Sequence, residues 1–335
     1  MAEIAVSVLC PVYNHSKYLR KCLEGFVRQK TSFPFEVIVH DDASTDDSAT
    51  IIREYAEKYP HIICPIYQKE NQHSKKISYF RNFLYPAVRG KYFAICEGDD
   101  YWSDDTKLQK QFDALEAHPE CSFSTHIVRN ISEDGTILPS TLPAILKYNE
   151  GVINAHDLLL DIFEKVFYPF QTTSYFFRAE LLQFISAEAS EFINSCPALD
   201  YGWVLSALLL GNCYFIDQEL SCYRRNSIAS WSSRQKKKSV HSKFQERVSR
   251  SLAFYDRLSG ERYHSLISRH IAENEYASFS YQMQHKLRND PKYRPIYARF
   301  SSRQRFFLAL CRYFPPFSPI YTKLKNTRSK QILLR

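Results

Sequence analysis

The stretch KYFAICEGDDYW, Lys91–Trp102, decides how the chain is read. Its first half is a continuous apolar run of strand length, the pattern of a strand buried on both faces. Its second half crowds Glu97, Asp99 and Asp100 into four positions ahead of two bulky aromatics. Two further runs behave alike: AVSVLC (Ala5–Cys10) gives way to PVYN, and FEVIVH (Phe35–His40) to DDAST. Between and after these runs lie helical patterns. Leu19, Cys22, Leu23, Phe26 and Val27 recur at helical spacing, with Asn14 or Ser16 as cap. Ile51, Ile52, Tyr55 and Ala56 do the same behind Ser44 or Thr45, and Leu108, Phe112 and Leu115 behind Ser103 or Asp104. Strands alternating with helices predict an α/β chain built on a mostly parallel central sheet with flanking helices.

From about Ser122 to Arg178 the pattern weakens into strand-like pieces, SFSTHIVRNI and TTSYFFR, around a proline-containing loop. A helix over Tyr201–Leu210 and a strand near CYFIDQ follow. Beyond Ser232 the chain reads as helical, basic and aromatic. The net charge of +8 hides an asymmetry: residues 1–233 hold 21 Lys+Arg against 30 Asp+Glu, and residues 234–335 hold 23 against 6. Nine scattered cysteines without a CxxC pair argue against a disulfide framework and against a zinc site. No apolar run reaches the 18 to 20 or so residues that span a bilayer, and no secretory leader is read at the N-terminus. The expectation is a cytoplasmic protein.

In an open parallel sheet, ligands bind beyond the carboxyl ends of the strands. Three strand ends supply polar groups to one edge here. Carboxylates gathered there repel one another unless a cation joins them, and Mg²⁺ or Mn²⁺ held by one or two carboxylates leaves positions for water and phosphates. A second reading stands beside this one: Asp99, Asp100, Asp104 and Asp105 form a solvated, helix-capping turn.

The segments VSVLCPVYNHSKYLRKCLEGFVRQ, FEVIVHDDASTDDS and GKYFAICEGDDYWSDDTKLQKQFDALEAHPE resemble the N-terminal half of family 2 glycosyltransferases, which have the Rossmann-like GT-A fold. The similarity is closest to a bacterial subgroup with an EGDDYW form of the DxD motif, and it covers roughly residues 4–230. It implies a catalytic domain over 1–232, with a nucleotide-sugar half to about 120 and an acceptor half from 121, followed by a helical basic region over 233–335. It further implies that Pro11 and Tyr13 line the nucleotide base, that Asp42 hydrogen-bonds to it, and that Arg81 approaches the diphosphate, with Lys75 and Lys76 as alternatives. Asp41 is expected to hold the loop. Asp100 matches the principal metal ligand for Mg²⁺ or Mn²⁺ and Asp99 the neighbour that touches ribose or metal. Glu97 stands where the family more often has Asp.

The segment CPALDYGWVLSALLLGNCYFIDQELSCYRRN resembles the acceptor-side motif followed by a YRxH element. Asp200 matches the general base of inverting members; the alternative is that it caps its helix. Leu199 stands where Glu is common, and Asn226 where a His often completes the metal site. Trp102 either stacks on the acceptor sugar or fills the core beneath the loop. The implied function is a metal-dependent, inverting transfer of a sugar from a nucleotide-sugar to a saccharide or lipid-linked saccharide in bacterial surface polysaccharide synthesis. The other class considered is a non-catalytic nucleotide-sugar-binding or membrane-associated assembly partner. For the basic C-terminal region the readings are a face packed on the catalytic domain, an anionic membrane surface on the inner face of the cell membrane, and nucleic acid, for which no motif is present.

Overall fold

The computed structural model describes residues 3–143, 147–165, 170–225 and 238–313. The chain divides into two compact units, Met1–Lys236 and Lys237–Arg335.

In the first unit, β1 (Val6–Val12), β2 (Phe35–Asp41), β3 (Ile63–Tyr67) and β4 (Tyr92–Ile95) lie in the order β3-β2-β1-β4, all parallel. Strands β1 and β2 are buried at every residue, which is why their sequences run largely apolar without alternation, the buried Glu36 being met by Ser7 and Arg89. Helices α1 (Ser16–Val27), α2 (Ser48–Lys58) and α3 (Lys107–Ala117) bury the faces that the spacing predicts, among them Leu19, Leu23 and Phe26, Ile51 and Ile52, and Leu108 and Leu115.

The predicted caps are not the ones used. Helix α1 begins behind His15, α2 behind Asp47 and α3 behind Thr106, none with a side-chain cap. The two loops instead satisfy each other. The Ser16 N–H donates to Asp46 Oδ2 at 2.9 Å, the His15 N–H to Ser48 Oγ at 3.0 Å, and the Thr45 N–H to Asn14 Oδ1 at 2.8 Å. Orphan helix donors are thus met across space, a pairing that local sequence signals do not carry.

The remainder of the sheet makes it mixed rather than mostly parallel. Strand β9 (Phe176–Arg178) is antiparallel to β4, and β6 (Cys121–Ile131) is antiparallel to β9. Strand β10 (Asn212–Arg224) is parallel to β6, and β5 (Tyr101–Trp102) closes the edge antiparallel to β10. Two strands lie off this path: β7 (Ile137–Leu142) pairs with β6 and β8 (Gly151–Ile153) with β10. The weakly patterned stretch therefore contains the eleven-residue β6. Its Ser124, Thr125, His126 and Asn130 are buried, so the strand reads as polar although it is central. Ser124 and Thr125 are partnered: Gln111 Nε2 donates to Ser124 Oγ at 3.2 Å and to the Ser174 carbonyl at 2.9 Å, and the Thr125 and Ser174 hydroxyls lie 2.6 Å apart, whereas His126 Nε2 and Asn130 Oδ1 are buried without a partner. The same stretch holds α4 (Ala155–Lys165), unforeseen from sequence, which buries Leu158, Leu159, Ile162 and Phe163. Helices α5 (Glu180–Ala187) and α6 (Ser190–Ser195) precede α7 (Leu199–Leu210), whose Trp203 is fully buried.

The second unit is helical among its described residues: α8 (Lys238–Leu258), α9 (His264–Ser278), α10 (Tyr281–Lys286), α11 (Arg294–Ala298) and α12 (Ser302–Tyr313). Ala272, Tyr276, Tyr293 and Ile296 form one apolar cluster, with Phe279, Tyr297 and Phe300 packed against it. No helix among the described residues is long and apolar enough to cross a membrane.

Candidate active site

The chain leaves β1 towards β2 and β3 and returns on its other side at β4, so the carboxyl ends of β1 and β4 flank a topological switch point. Backbone hydrogen bonds knit the three strand ends together there. Gly98 N–H donates to the Pro11 carbonyl at 3.1 Å, Cys96 N–H to Leu9 at 3.1 Å, and Asp42 N–H to Val12 at 2.9 Å. Gly98 lies so close to α1 that a Cβ would stand 2.8 Å from His15 Nδ1 and 3.0 Å from Val12 Cγ2. The acidic loop is pressed onto the mouth of β1 by that contact.

Asp100 is buried. Its Oδ1 accepts the Arg224 N–H at 2.8 Å, and its Oδ2 is buried with no hydrogen-bond partner. Loss of solvation and then the neighbouring Asp99 charge push its carboxyl well above the usual range, against the pull of the Arg224 N–H. Glu97 is pushed up to about 8, by burial first and then by the charges of Asp99 and Asp200. Asp200, in the first turn of α7, is also raised by burial while its Oδ1 accepts the Tyr201 N–H at 2.8 Å. Asp200 is thereby close enough for its charge to act on Glu97, although about a hundred residues separate them in sequence. The helix it opens has Ala198 at its cap position, with no side-chain capping bond.

Residues 7–180, just over half of the chain, match the family model described as Glycosyl transferase family 2. The chain belongs to this family. An uncharacterized protein of Mycobacterium tuberculosis is 47% identical over 132 residues, 39% of this chain and 37% of its own length. The putative teichuronic acid biosynthesis glycosyltransferase TuaG of Bacillus subtilis is 32% identical over 152 residues, 44% of this chain and 57% of its own. The chain thus spans little more than a third to about a half of these relatives. Among solved structures, S. aureus TarS 1-349 in complex with UDP-GlcNAc superposes with a TM-score of 0.59 at 18% identity, covering 92% of this chain and 88% of that one. A mannosyltransferase from Pyrobaculum calidifontis, solved with GDP-Man and Mn²⁺, superposes with a TM-score of 0.51 at 15% identity, covering 94% and 88%. The fold is GT-A.

Within this family 2 chain the other expected residues fall unevenly. Asp42 is buried with both carboxylate oxygens engaged by the next loop, accepting the Gln72 N–H at 2.7 Å and the His73 N–H at 3.1 Å. It adds to the loop-holding part expected of Asp41, whose Oδ2 accepts the Ser44 N–H at 3.4 Å while its Oδ1 is buried without a partner. Pro11 is buried within β1, whereas Tyr13 is 44% exposed beyond its end. Arg81 is exposed on a π-helical turn, Phe80–Leu84, and its guanidinium makes no hydrogen bond or ion pair among the described residues. Trp102 is corrected to the core. Its ring is 3% exposed, edge-on to Phe26 at 4.7 Å with Lys107 Nζ 4.1 Å from its centroid, so it offers no face to an acceptor. Leu199 opens α7, and Asn226 lies outside the described residues.

Two groups escaped the sequence reading. Tyr79 and Phe83 both stack on the buried His40, at 5.3 and 5.5 Å between ring centroids, and the phenol of Tyr79 is pushed up by burial and by the charges of Glu97 and Asp42. Arg224 is the other. It is 4% exposed, its Nε donates to the Asp99 carbonyl at 3.0 Å, and its Nη1 donates to Ser132 and Glu133 carbonyls at 3.1 and 2.8 Å. Its guanidinium also lies 4.2 Å from the Tyr18 ring centroid. Arg224 joins the acidic loop, the turn after β6 and the start of α1. The YRR run was its only signal.

Proposed function

We propose that the first unit transfers a sugar, with inversion, from a nucleotide-sugar to the hydroxyl of a saccharide or lipid-linked saccharide in the synthesis of a bacterial surface polysaccharide. The single observation that supports this reading is that the Asp200 charge acts on Glu97 of the acidic loop from about a hundred residues away in sequence, in a chain of glycosyl transferase family 2. A carboxylate on the acceptor side opposite an acidic donor-side loop is the arrangement that direct displacement at an anomeric carbon needs.

The buried, unpartnered Oδ2 of Asp100, flanked by Asp99 and Glu97, fits a divalent cation. Among the described residues no three His, Cys, Asp or Glu side chains are grouped to hold a metal by themselves, which fits a Mg²⁺ or Mn²⁺ that draws its other ligands from phosphate and water. Such a cation, held by Asp100 and Asp99, supplies neutralising charge beside the departing diphosphate. Asp200 removes the proton of the acceptor hydroxyl as its oxygen attacks the anomeric carbon. The bond from that carbon to the diphosphate oxygen breaks, and the nucleoside diphosphate leaves. Tyr13 and the Asp42-anchored loop border the base, and Arg81 is free to meet the diphosphate. The names of TuaG and of TarS with UDP-GlcNAc support a nucleotide-sugar donor and a wall-polymer setting.

The test is release of nucleoside diphosphate from UDP-, GDP- and dTDP-sugars with Mn²⁺, Mg²⁺ or EDTA. Metal-dependent release from one donor that collapses in Asp200→Asn while donor binding persists is the expected result. Donor binding and release that Asp200→Asn and Asp100→Ala both leave intact would refute the assignment.

A further inference from the structure

From Pro291 to Arg335 the chain holds 11 Lys and Arg and no Asp or Glu. Two of these cations are neutralised within the second unit, Lys292 by Glu275 and Arg299 by Glu273. Arg303, Arg305 and Arg312, all on α12, make no ion pair among the described residues. Helix α12 buries Leu308 and Cys311 on one side. Its other side carries Arg303, Phe306, Leu310 and Tyr313, spaced three, seven and ten residues from the first and therefore on one face. Phe306 is 60% exposed and Tyr313 73%, Arg303 is exposed on the same face, and Arg305 is exposed on its flank, where one guanidinium nitrogen donates to the Ala298 carbonyl.

We infer that this face of α12 is a membrane-docking surface that takes an anionic phospholipid bilayer, with Phe306 and Tyr313 entering the headgroup region and Arg303 and Arg305 meeting lipid phosphates. Charge complementarity decides for that occupant, because the last 45 residues present one sign of charge only. The interleaved aromatics decide for a lipid surface over a purely polyanionic one. A helix lying in the interface plane pairs exposed apolar rings with flanking cations in this way, each cation near an anionic surface strengthening binding roughly fivefold. A soluble polyanion gives the rings no apolar phase to enter. The inference holds whether or not the first unit transfers sugar.

The test uses the full chain and vesicles of phosphatidylcholine alone or with about 30% phosphatidylglycerol, read by co-sedimentation at low and high salt, with a 20-nucleotide single-stranded RNA as the competing polyanion. The expected result is binding at least tenfold tighter to the anionic vesicles and weakened by salt. Phe306→Ser weakens vesicle binding about tenfold and leaves RNA binding unchanged, because only the bilayer receives the ring. The Arg303→Glu/Arg305→Glu pair weakens it by at least as much. Tyr313→Ser gives an independent check on a second exposed ring, and far-ultraviolet circular dichroism verifies the fold of each variant. Equal binding to both vesicle types, or wild-type vesicle binding by Phe306→Ser and by the arginine pair, overturns the inference. Tight RNA binding with no vesicle binding assigns the region to nucleic acid instead.

Discussion

Replacing Arg224 with Met keeps an apolar stem in the buried site and removes the guanidinium. Lost with it are three hydrogen bonds to carbonyl oxygens, of Asp99, Ser132 and Glu133, and the stacking on Tyr18. Each such bond contributes about 1 to 2 kcal/mol, and leaving a buried carbonyl unmet costs a similar amount. The Glu133 turn reaches solvent and rehydrates, so the Asp99 carbonyl bears most of the loss and the net effect on the loop is about 3 kcal/mol. The bond that reports this is local: the amide of position 224 donates to Asp100 Oδ1, and the amide of Asp100 to the Glu97 carbonyl at 3.0 Å. At about 1.4 kcal/mol per decade, both amides should exchange with deuterium roughly a hundredfold faster in Arg224→Met, with strand β1 unchanged. The divalent-cation concentration for half-maximal donor cleavage should rise, and Arg224→Lys, which reaches one carbonyl but not three, should fall between. Wild-type exchange at positions 100 and 224 in the Met variant would refute the reasoning, since the backbone alone would then hold the loop.

Two further outcomes follow from the same loop. Gly98→Ala puts a methyl group 2.8 Å from His15 Nδ1 and 3.0 Å from Val12 Cγ2, and because Val12 belongs to a buried strand the fit costs about 1 to 3 kcal/mol; a thermal melt should show it, with partial recovery when His15 is also replaced by Ala. Glu97 carries a proton in the folded chain up to about pH 8, whereas an ordinary glutamic acid loses it near 4.5. Across that window the folded state binds more protons than the unfolded one, so metal-free stability falls as pH rises from about 4.5 to about 8. Urea midpoints in EDTA, followed by the fluorescence of tryptophans that all lie in the first unit, should show that slope flattened in Glu97→Gln.

What could be read from the sequence was whatever depends on local pattern. Strands β1, β2 and β4 declare themselves because strands buried on both faces run mostly apolar, with few polar interruptions such as Ser7 and Glu36, and α1 to α3 because their buried residues recur at helical spacing. Strand β6, legible as the strand-like piece SFSTHIVRNI, gave a weaker signal because Ser124, Thr125, His126 and Asn130 are buried in it; Ser124 and Thr125 find their partners in Gln111 on α3 and Ser174 near β9, beyond any local window. The acidic residues of the site were legible as a cluster, and Asp200 as part of a family pattern. Arg224 was not, because its contact with Asp100 joins positions 124 apart through a strand pairing that no spacing rule reveals. Trp102 was ambiguous for a different reason: one aromatic ring suits a core and a sugar equally, and only the approach of Gly25 to its backbone, where a Cβ would stand 2.8 Å from the Trp102 carbonyl, and the packing of Phe26 on its ring settle it.

The placement of Arg224 also bears on why a carboxyl oxygen of the site stays open to a cation. A buried arginine beside Asp99 and Asp100 would ordinarily pair with a carboxylate, since two charge-assisted bonds to one anion are the strongest use of its fork. Here the fork is aimed elsewhere. Its donors meet backbone carbonyls, it makes no ion pair among the described residues, and the carboxylate of Asp100 is held only through the backbone N–H at position 224. One oxygen of Asp100 is consequently fixed in direction while the other stays unpartnered. A guanidinium bound to that second oxygen would bring Asp100 back towards the ordinary carboxylate range and occupy the position a cation needs. With the arginine turned to the carbonyls, no guanidinium meets Asp100 Oδ2, and burial holds the Glu97 and Asp100 carboxyls towards their protonated forms. A divalent cation entering there displaces those protons, and its binding should therefore strengthen as pH rises towards 8.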